Sequence, residues 1–299
     1  MNLLNQRFHN KRPDDVGSGQ ERLLALLYGT AAGRILLKPL VHPAVSKFGG
    51  MVLSSGWSRI LIPPFVKHYK IDLSQFQRQK YRSYNEFFSR KIRPGARPVD
   101  RNPSHFISPC DSKLTVLPIT PDCRFTVKHT SYTVASLLQN KELARSYSGG
   151  QVLIFRLTVD DYHRYCYPVD GEKSENIRIP GIFHTVNPIA NEVYPIYKQN
   201  SREYTILHSK EFGDLIMMEV GALMVGKIVN HHGRASVRRG QEKGYFQFGG
   251  STIVVIVKKG VLKVDDEIVE KSGMGVESKV KYGGRIGDLE VSLKGKTWD

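Results

Sequence analysis

Three stretches of the chain are apolar at nearly every position: Val152-Leu153-Ile154-Phe155-Arg156-Leu157, Leu215-Ile216-Met217-Met218-Glu219-Val220 and Thr252-Ile253-Val254-Val255-Ile256-Val257. They read as short strands, and their near-continuous apolar character implies burial on both faces. Glycines punctuate the same region at Gly149-Gly150, Gly221, Gly226, Gly249-Gly250 and Gly283-Gly284, and long helical patterns are scarce there. The expected fold is therefore α+β, with a β-rich body of sandwich or barrel-like sheets over residues 106–299. A helical segment over residues 1–105 precedes it.

That first segment is apolar and basic together. Leu23-Leu24-Ala25-Leu26-Leu27-Tyr28, Ile35-Leu36-Leu37 and Pro39-Leu40-Val41 read as short helices broken by Gly and Pro, with Arg22, Arg34, Lys38, Lys47 and Arg59 set among them. An element lying in a bilayer interface has this mixture, its apolar face sunk and its basic ends on phosphate. An ordinary helical cap on the core has it too, and the pattern does not separate the two. Apolar residues 23–33 stop at Arg34 and 48–58 at Arg59, so neither run reaches transmembrane length. The first twenty residues carry Arg7, Lys11, Arg12, Asp14 and Asp15 and lack the form of a secretory signal. Tyr84 to Phe88 reads as a short helix leading into a basic turn, Arg90 to Pro98, which is either solvated surface or a phosphate contact.

The 299 residues suffice for one large domain, or a domain with an appendage. Lys and Arg number 44 against 28 Asp and Glu, a net charge of +16 that favours an anionic partner: nucleic acid, an acidic bilayer or an acidic substrate. A basic residue near an anionic bilayer contributes about 1 kcal/mol, so a modest cluster suffices for lipid. No nucleic-acid-binding module accompanies the charge. Cys110, Cys123 and Cys166 match neither a zinc motif nor a disulfide framework, which fits a reducing cytosol.

Gly250-Ser251 stands directly before the third strand. Glycines there permit strained dihedrals that expose the Gly250 carbonyl to the Ser251 hydroxyl, although a bulge or tight turn has the same sequence. Asp160-Asp161-Tyr162-His163-Arg164-Tyr165-Cys166 gathers carboxylate, imidazole, guanidinium and thiol at a strand end, where His163 is either a proton donor or a loop histidine satisfying carbonyls. Asp111, in Ser108-Pro109-Cys110-Asp111, either caps backbone amides or orients an imidazole. His231-His232 has neither the spacing nor the partners of a metal site, and none is expected.

In their order these pieces resemble the phosphatidylserine decarboxylase family. The blocks are Phe87-Phe88-Ser89-Arg90 with Arg93-Pro94-Gly95-Ala96-Arg97-Pro98, Ser108 to Asp111, Asp161-Tyr162-His163-Arg164, Val186-Asn187-Pro188, Val220-Gly221-Ala222 with Val225-Gly226, and Gly240-Gln241-Glu242-Lys243-Gly244 leading to Phe248-Gly249-Gly250-Ser251-Thr252. They span roughly residues 84 to 260, and six blocks in sequence make chance similarity improbable.

The resemblance implies a catalytic β-rich body and a proenzyme that cuts itself between Gly250 and Ser251. A large subunit, 1–250, and a small one, 251–299, would remain together as a heterodimer, and a higher oligomer is compatible with it. Ser251 becomes a pyruvoyl group, the covalent cofactor, which forms a Schiff base with the substrate amine and accepts the electrons left by carbon dioxide. His163 returns a proton to the α carbon, giving phosphatidylethanolamine from phosphatidylserine, and Asp111 matches the relay acid. The enzyme is expected on the cytoplasmic face of the cell membrane, held peripherally against anionic lipid. Many members carry a second histidine three positions after the first, serving as base for self-cleavage. Here that position is Cys166, a poor base at a reference pKa near 8.5, so either Cys166 serves anyway, His163 or His184 takes over, or processing is slow. A free amino acid as substrate, and a non-catalytic membrane-binding homologue, are the alternatives.

Overall fold

The computed structural model describes residues 19–127, 130–185, 190, 194–222, 227–247, 249 and 251–290. Five helices open the described chain: α1 (Gly19–Gly29), α2 (Ala31–Leu40), α3 (Pro43–Ser54), α4 (Ile62–Tyr69) and α5 (Tyr84–Phe88). Local chemistry sets their starts. The Thr30 side chain accepts from Gly33 N, His42 caps Ala44 N with Pro43 in the first turn, and Ser83 accepts from Glu86 N. Gly33 is required by packing, because a Cβ there would stand 2.2 Å from the Leu26 carbonyl oxygen of α1.

These helices have two unlike sides. Leu24, Tyr28, Leu37 and Val41 join the main core, and Leu53 packs with Tyr84, Phe87 and Phe88 in a smaller one. On the other side Leu23, Leu26, Ile35, Leu36, Phe48 and Met51 are exposed, and between α3 and α4 Trp57 is 90% and Ile60 76% exposed. One face is a cap on the core, as one of the two sequence readings has it, and the other is an exposed apolar surface. No helix among the described residues is long and apolar enough to cross a membrane.

The body is built on a nine-stranded antiparallel sheet. Its strands are β1 (Ser112–Pro118), β2 (Gln151–Leu157), β3 (Gly171–Lys173), β4 (Ile177–Ile179), β5 (Arg202–Ser209), β6 (Gly213–Val220), β7 (Ala235–Val237), β8 (Ser251–Val257) and β9 (Ser278–Val280). The spatial order is β7-β3-β5-β6-β8-β2-β1-β9, with β4 on β5. The three apolar stretches of the sequence are thus β6, β8 and β2, side by side at the centre, and every residue of β8 is buried. A three-stranded sheet of Ile228–Asn230, Glu242–Phe246 and Arg164–Cys166 joins this one through Lys243, which reaches Glu219 of β6. Another pairs His105–Ile107 and Leu262–Val264 with Arg285–Leu289. Among the described residues no sheet closes into a barrel.

The basic turn after α5 is not uniformly solvated. Lys91 and Arg93 are exposed, but Arg90 is buried between the rings of Phe76 and Phe87, 4.3 and 4.7 Å from its guanidinium carbon, and Arg97 points inward to Asp111.

Candidate active site

Ser251 is the first residue of β8. It pairs with Leu157 at the end of β2, while its neighbour Thr252 pairs with Val220 at the end of β6. The serine is fully buried, and its hydroxyl has no hydrogen-bond partner among the described residues; the Thr252 hydroxyl shares both properties. A buried, unsatisfied hydroxyl costs free energy. Gly249 has φ of 128°, a region open to glycine and strained for other residues. Gly250, expected to supply the attacked carbonyl, lies outside the described residues, as do Phe248 and the blocks at 186–188 and 225–226.

His163 follows the turn that closes β2. Thr158 donates to the Asp161 carboxylate through its amide and its hydroxyl, each at 2.8 Å, and the Asp161 amide returns to the Thr158 carbonyl at 2.9 Å. The Asp161 carboxylate is therefore spent on the turn, and it is the Asp161 carbonyl that meets the histidine, 2.9 Å from Nδ1. Nδ1 must carry the proton to donate there, which leaves the Nε2 lone pair free. Nε2 is buried and has no partner of ordinary geometry among the described residues. The ring packs on Phe88, centroids 4.0 Å apart. Burial brings the His163 pKa down to about 3; the backbones of Asp161 and Gly249 oppose the shift, and Arg90 adds to it. The influence of Gly249, two residues before Ser251, sets the ring beside the loop that delivers the serine.

The other expected residues fall elsewhere. Asp111 meets no imidazole among the described residues. Arg97 makes a two-nitrogen contact with it at 2.6 to 3.1 Å, Lys281 Nζ lies at 3.0 Å, and the Tyr282 amide donates to it at 2.9 Å. Burial works to raise its pKa, but these donors together hold the carboxyl below its ordinary value. Cys166 is fully buried, its Sγ 4.0 Å from the Ser108 carbonyl oxygen and in contact with the Tyr282 side chain. Burial pushes its thiol up to about 12. His184 contacts the Tyr28 hydroxyl of α1 at 3.3 Å and stacks on Tyr194, ring centroids 4.5 Å apart. Asp111 thus reaches the His163 region indirectly, through Tyr282, whose ring packs 6.0 Å from that of Tyr162.

Sequence reading missed a buried ion pair on the face of Ser251. Glu219 stands opposite Ile253, so it shares that face, and its carboxylate is 2.7 Å from Lys243 Nζ with both side chains fully buried. Asn230 joins them, accepting from Lys243 at 2.9 Å and donating to Glu219 at 3.1 Å and to Glu203 at 2.6 Å. The available signal was a lone carboxylate inside an apolar strand. Removing one member strands its partner, so Lys243→Met is expected to destabilise the fold by about 3–5 kcal/mol, and pairing it with Glu219→Leu to recover most of that loss. Urea unfolding of the two variants measures the difference.

A family model described as phosphatidylserine decarboxylase matches residues 84–288, more than half of the chain. The chain is 46% identical over 266 residues to the phosphatidylserine decarboxylase proenzyme 2 of Clostridium acetobutylicum, covering 89% of this chain and 91% of the relative. It is 39% identical over 294 residues to the phosphatidylserine decarboxylase proenzyme of Ruminiclostridium cellulolyticum, at 96% and 97% coverage. With that of Fusobacterium nucleatum it shares 36% identity over 274 residues, at 90% and 91% coverage. The chain belongs to the phosphatidylserine decarboxylase family and is a carboxy-lyase.

Proposed function

We propose that the chain cuts itself between Gly250 and Ser251 and then decarboxylates phosphatidylserine to phosphatidylethanolamine. The observation that carries this reading is Ser251 itself, fully buried at the head of β8, its hydroxyl without a partner among the described residues, beside the loop that meets His163. The relatives' proenzyme names agree with it. A pyruvoyl group made from Ser251 would sit at the head of β8 and would supply a ketone able to condense with the substrate amine as a Schiff base and to take up the electrons left by carbon dioxide. Its surroundings suit that chemistry: the apolar β6, β8 and β2 exclude water, and His163 is within the same wall.

We assign the proton-accepting role in self-cleavage to His163 rather than Cys166 or His184. A thiol held near 12 offers almost no thiolate at neutral pH, whereas a neutral imidazole with a free Nε2 lone pair is already in its basic form. In the decarboxylation the same nitrogen would pass to the α carbon the proton that the substrate ammonium gives up on condensing with the ketone. Asp111 acts from behind, positioning Arg97 and Tyr282. Cys166→Ser is then expected to cleave at a rate within about threefold of the parent, followed as the two fragments on a denaturing gel; a block to cleavage would return the role to the thiol.

The exposed apolar side of residues 19–61 and the +16 charge favour peripheral docking on an anionic bilayer, on its cytoplasmic face, over nucleic acid. Intact-mass measurement of freshly folded protein tests the core of the proposal. Two chains with a blocked start at residue 251 support it, and carbon dioxide release from phosphatidylserine vesicles but not from free serine fixes the substrate. A single full-length mass overturns it.

A further inference from the structure

Arg90 lies close enough to His163 to act on its charge, and among the described residues its guanidinium has no ion-pair partner. The segment from α5 onward runs along the His163 strand: Phe88 packs on the imidazole, the Ser89 carbonyl accepts from Arg164 Nε at 2.8 Å, and the Ile92 amide meets the Tyr162 hydroxyl at 3.4 Å. Between these contacts Arg90 is 1% exposed, no more closed off than Ser251 and His163. Its one hydrogen bond runs from Nη1 to the Phe87 carbonyl at 3.3 Å, while Nε and Nη2 have no partner among the described residues. The contrast with Arg202 is informative. That guanidinium is equally buried, but its nitrogens reach the carbonyls of Leu137, Lys198, Asn200 and Ser136 at 2.8 to 3.0 Å. Phe76 and Phe87 hold the Arg90 plane from its faces, and the Nε–Nη2 edge is buried without a partner among the described residues. That edge is the pair of donors that takes an oxyanion side-on, two parallel hydrogen bonds to two oxygens.

We propose that Arg90 receives the phosphodiester of the lipid head group, Nε and Nη2 each donating to a non-bridging oxygen; this rests on phosphatidylserine being the substrate. The head group offers two anions, and the chemistry selects between them. A guanidinium on the carboxylate would hold charge where decarboxylation must disperse it, stabilising substrate more than transition state. On the phosphodiester, whose charge is unchanged by the reaction, it binds and orients without that penalty.

The test uses the full chain with Arg90→Gln and Arg90→Lys, assayed on phosphatidylserine in mixed micelles beside the fraction of chain cut at 250/251. Charge-assisted bonds of this kind predict that Arg90→Gln is still cut and that its KM rises roughly 10- to 100-fold, with kcat changed much less. Arg90→Lys, keeping charge without the fork, is expected in between. An unchanged KM in either cut variant, or a fall in kcat alone, overturns the assignment. Should the glutamine variant not fold, the parent enzyme decides with soluble competitors. Glycerophosphoserine is expected to inhibit competitively where serine at equal concentration does not, and equal inhibition by both removes the phosphodiester site. Inhibition by inorganic phosphate as strong as by glycerophosphoserine would make it a general oxyanion site and likewise overturn the lipid assignment. A parent protein that neither cuts itself nor releases carbon dioxide counts against the proposed function instead.

Discussion

Ser251→Ala is expected to remain a single 33.8 kDa chain and to lose decarboxylase activity by at least about four orders of magnitude. Self-cleavage needs the Ser251 oxygen to add to the Gly250 carbonyl carbon as the peptide C–N bond breaks, giving an ester. Elimination then removes the α proton and the ester oxygen together, and water replaces the nitrogen as ammonia to leave a ketone. Alanine has no oxygen to begin this sequence, and without the ketone the electrons of the departing carboxylate have no acceptor. A second property separates this from simple damage. The Ser251 hydroxyl is buried without a partner among the described residues, so removing it relieves an unsatisfied polar group. The melting temperature of Ser251→Ala should therefore match or exceed that of the parent chain trapped before cleavage. Activity lost with stability kept is the signature of a residue retained for chemistry. Fragments at 250/251 from the alanine chain would mean that the cut has been misplaced.

The parts of this arrangement that were legible in sequence are those fixed by local or face-wide burial. β2, β6 and β8 are sheltered on both sides, so their apolar runs announced both strand and position. The helices α1 to α3 showed their two-sidedness as apolar material broken by basic residues. What stayed hidden depends on pairings that only the fold makes. Asp111 reads in sequence as either a cap on backbone amides or a partner for an imidazole; it does accept a backbone amide, that of Tyr282, but Lys281 and Tyr282 lie 170 and 171 positions further on. No local pattern connects them. Asp161 shows the same limit at short range: its carboxylate stands two residues from His163, which suggests an acid–imidazole pair, yet the tight turn after β2 claims it for Thr158. Glu219 stands out in sequence as a lone carboxylate in an apolar strand, but nothing local names Lys243 as its partner, and burial turns the two into a single unit. Arg90 looked like one cation of a surface run because the aromatic rings enclosing it come from Phe76, outside that run, and Phe87, one helical turn before it.

The sharpest consequence of the His163 geometry is that His163→Gln should stall self-cleavage by about 10²- to 10⁴-fold, leaving chiefly the same uncut chain as Ser251→Ala. Glutamine fills much of the space against Phe88 and can still donate to the Asp161 carbonyl, but its amide cannot take a proton from a serine hydroxyl. The histidine also dictates a pH profile. Because the ring in the folded chain accepts a proton only near pH 3, its basic form is complete across neutral and mildly acidic solution. The parent should therefore cleave at nearly the same rate from about pH 8 to pH 5, with no fall near 6.5, the ordinary histidine value. Stability follows the opposite course. Between 6.5 and 3 the unfolded chain binds a proton on this ring that the folded chain refuses, so His163 weakens the fold progressively as pH drops through that window. His163→Gln should flatten that part of the stability curve. Rapid cleavage by His163→Gln would move the base to another residue, and a parent rate that halves at pH 6.5 would mean a base of ordinary histidine pKa instead of one held near 3.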